Sequence, residues 1–251
     1  MDICVIGDSH TVALKQGLPA VEGEFPDCNI VFFGGHGDSL NDLTVADGKL
    51  VPGSHRLQRL FKITSEGEES IAPRYDVYLL AGVALRLFGA ARLCIAALQR
   101  QAKTGEDVTL SDDELFRLIH SAFAKTIAND VMTKLRQISD APAFLIATPY
   151  PGQSADTQIW KRLKKSVPLD RLENAYNTAC ETLCAAHGVR FLRQPAETIA
   201  RNGVTTWERY TRGATAEIER VSDDTHMNAE FGAIVLRDAL REILKSRKNA
   251  A

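Results

Sequence analysis

Three side-chain types that together make a hydroxyl nucleophilic stand at opposite ends of this chain. Ser9 lies in Gly7-Asp8-Ser9-His10, and Asp223 and His226 lie in the loop Val221 to Asn228. A serine hydroxyl is a weak nucleophile until a base takes its proton, and the base needs a third group to orient it. Asp223 precedes His226 by three residues, a spacing that lets the carboxylate reach the imidazole from a loop or a helical turn. Ser9 follows the apolar run Ile3 to Ile6 and opens a helical pattern through Val12, Ala13, Leu14 and Leu18. At such a strand-to-helix turn, which Gly7 makes tight, free amides and the helix dipole favour a developing negative charge. Serine is also an ordinary N-cap, and Asp223 or Asp224 an ordinary cap for the last helix with His226 on the surface. The two ends read together favour an activated serine over two unrelated caps.

The elements that must position these residues alternate between short apolar runs and longer helical patterns, the mark of an α/β fold with a parallel sheet. Strands are expected at Ile3 to Ile6, Asn29 to Phe33, Asp76 to Leu80, Ala143 to Ala147 and Val189 to Leu192. Each is a continuous apolar run, as for a strand buried on both faces. Ser111 to Glu114 is a capping-box pattern, and one helix is expected behind it from Leu115 to about Ile138. Leu169 to His187 reads as a helix closed by Gly188, and Asn228 to Lys245 as the last, with Phe231, Ile234, Val235, Leu240 and Leu244 as its core stripe. Asp47-Gly48 predicts a small hairpin inserted at 43–52 in the long connection from Asp42 to Tyr75. The 251 residues are expected to form one domain.

The Gly7-Asp8-Ser9 block after the first strand and the Asp223-x-x-His226 block before the last helix resemble those of the SGNH, or GDSL-type, hydrolases. The resemblance spans the chain end to end, and His10 after the serine is similar to bacterial GDSH-type members. It implies a three-layer α/β/α sandwich, flavodoxin-like, with a parallel sheet of about five strands. It also implies Ser9 as nucleophile, His226 as general base and acid, and Asp223 as its orienter. The family's second block places a glycine amide at the oxyanion. Gly34-Gly35-His36-Gly37-Asp38-Ser39 resembles it, with Gly37 the expected donor and Gly34 or Gly35 the alternatives; these glycines also suit a flexible turn. The third block ends in an asparagine that completes the oxyanion hole, whereas this chain has Gly82-Val83-Ala84. Loss of one such donor costs on the order of 10²–10³ in rate. Asn41, His36 and Arg86 are candidates to replace it. An acyltransferase or esterase that never used the asparagine would also account for the gap, as would a non-catalytic binding relative.

The implied substrate is a short acyl ester, an acetyl group on a saccharide being the expected case, and no cofactor is expected. A net charge of −2 argues against a broad nucleic-acid or anionic-membrane footprint. No apolar run reaches the roughly 18 residues needed to span a bilayer. No secretory leader is evident, and the odd set of five cysteines fits a reducing compartment, so a cytoplasmic protein is expected. Cys180 and Cys184, one turn apart, read as buried helix residues rather than a metal or redox pair. Trp207 and Tyr210 either line a sugar cleft or pack in the core. Asp8-Ser9-His10 and Gly37-Asp38 also resemble the first motifs of metallophosphoesterases, but the Gly-Asn-His and Gly-His-x-His motifs of that class are absent. Oligomeric state leaves no trace in the sequence.

Overall fold

In a computed structural model, residues 1–104, 109–155, 157–212 and 223–248 are described; Val221 and Ser222 lie outside them. The strands are β1 (Asp2–Gly7), β2 (Asn29–Gly34), β3 (Leu43–Ala46), β4 (Lys49–Pro52), β5 (Val77–Gly82), β6 (Ala143–Ala147) and β7 (Val189–Leu192). The α-helices are α1 (Thr11–Gly17), α2 (His55–Thr64), α3 (Leu87–Gln101), α4 (Asp112–Phe123), α5 (Ile127–Ile138), α6 (Thr157–Leu163), α7 (Leu169–Ala185) and α8 (Ala229–Lys248).

Five strands form one parallel sheet in the order β2-β1-β5-β6-β7. This is the doubly wound flavodoxin-like order, and its direction reverses beside β1. Successive side chains point to opposite faces, so Ile3, Val5, Val77 and Leu79 face one layer while Cys4, Ile6, Tyr78 and Leu80 face the other. α1 and α8 cover the first face; α2, α3, α4, α5 and α7 contribute to the core over the second. Burial on both sides is why these strands read as unbroken apolar runs. β3 and β4 pair antiparallel, turned by Asp47 and Gly48 with φ of 49° and 68°.

Ser111 and Glu114 form the capping box at the start of α4. The single helix expected from Leu115 to Ile138 is instead two. Thr126 turns its hydroxyl onto the Phe123 carbonyl (2.7 Å), takes an extended backbone and starts α5, ending α4 at Phe123. Such local bonding from a β-branched hydroxyl residue competes with helix continuation. In α8, Phe231, Val235 and Leu240 are buried as expected, with Leu236, Ala239 and Ile243, but Leu244 is exposed. α2, α3 and α6 go beyond the elements expected from the sequence. Cys180 and Cys184 are buried free thiols, Tyr210 is buried, and Trp207 packs against the α1–α8 core.

α1 and α8 cross with their backbones nearly touching. A Cβ on Gly232 would sit 1.8 Å from the Ala13 carbonyl oxygen, and one on Gly17 would sit 2.2 Å from the Ala233 amide nitrogen. Only backbone lies opposite either position, so no rotamer change makes room. Gly232→Ala is expected to destabilise the fold by about 2 kcal/mol or more in urea unfolding. Gly23→Ala, with nothing within 4 Å of the added carbon, is the control and is expected to change stability by under ~0.5 kcal/mol. Equal stabilities for the two variants would show the crossing to be yielding.

Candidate active site

Ser9 sits in the turn between β1 and α1, at the carboxyl edge of the sheet. Asp8, buried, holds that turn: its Oδ1 accepts the His10 amide (3.0 Å) and its carbonyl accepts the Thr11 hydroxyl (2.8 Å). No side chain caps α1, so the Ser9 hydroxyl is not engaged as an N-cap. It meets His226 Nε2 at 3.0 Å, across 217 residues of sequence. His226 Nδ1 lies 3.0 and 3.1 Å from the two Asp223 oxygens, and the His226 amide donates to Asp223 Oδ1 at 3.0 Å. A carboxylate facing Nδ1 draws the ring proton there and leaves the Nε2 lone pair toward Ser9, the tautomer a general base requires. Partial burial pushes the Asp223 carboxyl up, but hydrogen bonds from the His226 amide and ring, with the charge of that ring and the Thr225 amide, outweigh it. Together they hold Asp223 below its ordinary range. The carboxylate is therefore ionised across the neutral range.

His10 lies against this pair, its ring centroid 5.3 Å from that of His226 and tilted by 30°. Burial is the main force that lowers it from 6.5 to about 4; Asp8 pulls it up, while His226 and Arg86 push it further down. His10 is thus neutral, and its buried Nδ1 has no partner among the described residues. A neutral ring in this place adds no positive charge beside His226.

The end of β5 carries the most strained backbone of the site. Gly82, Val83 and Ala84 are consecutively left-handed, with φ of 80°, 49° and 67°. Such a conformation costs a non-glycine residue roughly 1–3 kcal/mol, more for a β-branched one. It is held by the Leu85 carbonyl, which accepts the Thr148 amide (3.2 Å) and the Tyr176 hydroxyl (3.0 Å), and by the full burial of Val83 and Leu85. Gly82 is obligatory twice over, because a Cβ there would lie 2.3 Å from Asp8 Oδ1. The strained turn is thereby braced against the residue that shapes the Ser9 turn.

The remaining candidates separate. The Gly35 amide donates to the Gly7 carbonyl (2.7 Å) and the Gly34 amide to the Thr64 hydroxyl (2.9 Å), so neither N–H is open to a ligand. Gly37, with φ of 58°, is exposed, and its amide has no partner among the described residues. The Ser9 amide is likewise without a partner there, a donor that residue types cannot reveal because every residue but proline carries the same group. Asn41 lies exposed in a short 3₁₀ turn and His36 accepts from Arg56 (3.1 Å). Of the three candidates to replace the missing asparagine, Arg86 alone joins Ala84 in a cavity of about 580 Å³, which Gly37, Arg92, Phe123 and Ile127 also line. A second cavity of about 390 Å³ is lined by Arg86, Phe88, Arg92, Thr148, Asp224 and Thr225. The two arginines border both. Among the described residues no group of three or more His, Cys, Asp or Glu is arranged to hold a metal ion.

No protein-family model matches the chain, and no curated protein matches it in sequence. Among solved structures, it is similar to the periplasmic domain of a lipopolysaccharide acetyltransferase from Salmonella ser. Paratyphi A. That alignment has 16% identity and a TM-score of 0.49, and covers 97% of this chain and 83% of the other. A DUF4886 family protein from Bacteroides uniformis aligns at 11% identity and a TM-score of 0.45, covering 94% and 80% of the two chains. A carbohydrate esterase aligns at 11% identity and a TM-score of 0.36, covering 96% of this chain and 64% of that one.

The depressed His10 has a consequence for stability. Above pH 6.5 the ring is neutral both folded and unfolded; below it the unfolded chain binds a proton that the native site refuses until about pH 4. Stability contributed by this neutral ring is therefore complete at neutral pH and lost as pH falls from about 6.5 toward 4, by on the order of 3 kcal/mol. Urea unfolding of wild type and His10→Phe at several pH values is expected to show a shallower acid loss in the variant. Parallel curves would assign the acid sensitivity to other groups.

Proposed function

We propose that this chain is a serine-dependent acyl-ester enzyme of the SGNH type, acting on a short acyl ester such as an O-acetyl group on a saccharide. The observation that carries the reading is the unbroken Ser9–His226–Asp223 hydrogen-bond relay. As Ser9 Oγ attacks the ester carbonyl, its proton passes to His226 Nε2, and Asp223 stabilises the imidazolium. The unpartnered amides of Ser9 and Gly37 are the donors assigned to the tetrahedral oxyanion. His226 returns the proton to the departing alkoxide, leaving an acyl ester on Ser9. A second attack, by water deprotonated at His226, releases the acid and restores the serine. An acceptor alcohol in place of water turns the same relay to acyl transfer.

The five free cysteines fit a reducing, cytoplasmic setting. Among the described residues no helix is long and apolar enough to cross a membrane.

Hydrolysis of p-nitrophenyl acetate by wild type, Ser9→Ala and His226→Ala, with and without EDTA, tests the mechanism. Turnover insensitive to EDTA and reduced by more than ~10³-fold in each variant is expected. Turnover that needs Mn²⁺ and survives Ser9→Ala would replace the reading with a metal-dependent phosphoesterase.

Ala84 offers a gain-of-function test. Its φ of 67° is one that asparagine adopts more readily than alanine, and it lines the cavity with Gly37. Ala84→Asn is expected to raise kcat by about tenfold or more by adding a side-chain amide to the oxyanion donors. An unchanged or lower kcat with an intact fold would mean that the donor set is complete without it.

A further inference from the structure

Resting on the serine mechanism above, we infer that the ester substrate is anionic, and that Arg86 and Arg92 hold its carboxylate, phosphate or sulfate group beside Ser9. Elsewhere among the described residues Arg74, Arg117, Arg171, Arg190, Arg193, Arg237 and Arg241 each meet a carboxylate, while others, Arg59 and Arg201 among them, do not; Arg86 and Arg92 are set apart by the cavities they border. Among the described residues Arg86 and Arg92 meet none and make no side-chain hydrogen bond; Arg92 only lies over the Phe88 ring, 5.0 Å from its centroid. Both border both cavities. One cavity reaches Gly37 and Ala84, and the other reaches Thr225, the residue before the general base. Two guanidiniums without partners are a fork-shaped donor set suited to the paired oxygens of an oxyanion.

A second, independent group points the same way. Thr148 is 5% exposed and lines the Thr225 cavity, and its hydroxyl has no hydrogen-bond partner among the described residues. A buried orphan hydroxyl is costly unless a ligand completes it. Each cavity also holds one carboxylate, Asp38 in the first and Asp224 in the second, and neither is paired with the arginines. Those carboxylates accept hydroxyl hydrogens. Arginines for an anion and carboxylates for hydroxyls together describe an acidic saccharide better than a neutral lipid or a simple alkyl ester.

The test measures kcat/KM for matched esters that differ in charge. p-Nitrophenyl hemisuccinate against p-nitrophenyl acetate places the charge on the acyl side, and O-acetyl glucuronate against O-acetyl glucose places it on the alcohol side. At low ionic strength one anionic ester is expected to be preferred over its neutral partner by about tenfold or more. That ratio is expected to collapse in Arg86→Gln/Arg92→Gln and to be partly kept in Arg86→Lys/Arg92→Lys. Ratios near one in both pairs, or ratios unmoved by the Gln substitutions, would overturn the inference. Calorimetric titration of glucuronate and of inorganic phosphate, against glucose, into wild type and the double Gln variant separates this from failure of the serine reading. Anion binding lost in the variant, with no ester turned over, would sustain the subsite and sink the esterase. Anions binding no better than glucose would overturn the subsite whatever the turnover.

Discussion

The contact between Gly17 and Gly232 is the constraint from which the rest of the site follows. Ser9 stands just ahead of α1 and His226 just ahead of α8, so the relation between the two helices sets the relation between hydroxyl and imidazole. Helices kept apart by ordinary side chains have some freedom to slide. Here backbone lies on backbone, with room for no carbon at either glycine, and the crossing point is tightly fixed. Both helices then bury Leu14, Leu236 and Leu240 against the Ile3, Val5 and Leu79 face of the sheet, each leucine contributing about 2 kcal/mol. A hydrogen bond 3.0 Å long between residues 217 apart requires a frame of that stiffness.

Around this frame the electrostatics are arranged by burial more than by charge pairing. Asp8 is drawn inside to shape a turn, and His10 is buried far enough to refuse a proton. Asp223 keeps its charge through hydrogen bonds that outweigh its partial desolvation. Two imidazoles in contact therefore have different duties. His226 faces Ser9 and Asp223, while His10 is an uncharged wall that also fills space beside it.

Much of this was legible in the sequence. The five sheet strands announce themselves because a strand buried on both faces has no polar alternation to confuse it. The Asp223-x-x-His226 spacing is legible because orientation of an imidazole demands a close carboxylate. α3 could have been read from Leu87, Ala90, Ala91, Cys94 and Leu98, which recur at helical spacing. The break at Thr126 was not legible, since the hydroxyl bond that ends α4 is one of several a threonine can make. The Gly17–Gly232 contact was hidden because a glycine in a helix states only that something comes close, never what. The Ser9 amide leaves no mark on residue type, whereas Gly37 was pointed to by the likeness of residues 34–39 to the family's second block; the commitment of the Gly35 amide to Gly7 depends on the register of β2 with β1.

The placement of β1 gives the chain a temporal order during its synthesis. The ribosome delivers Ser9 ahead of the neighbouring strands β2 and β5, and the covering helix α8 follows every other described element. Until α8 docks, Ser9 has no imidazole of His226 within reach. The Ser9–His226 contact is therefore among the last the chain can make, and it arrives only with that helix.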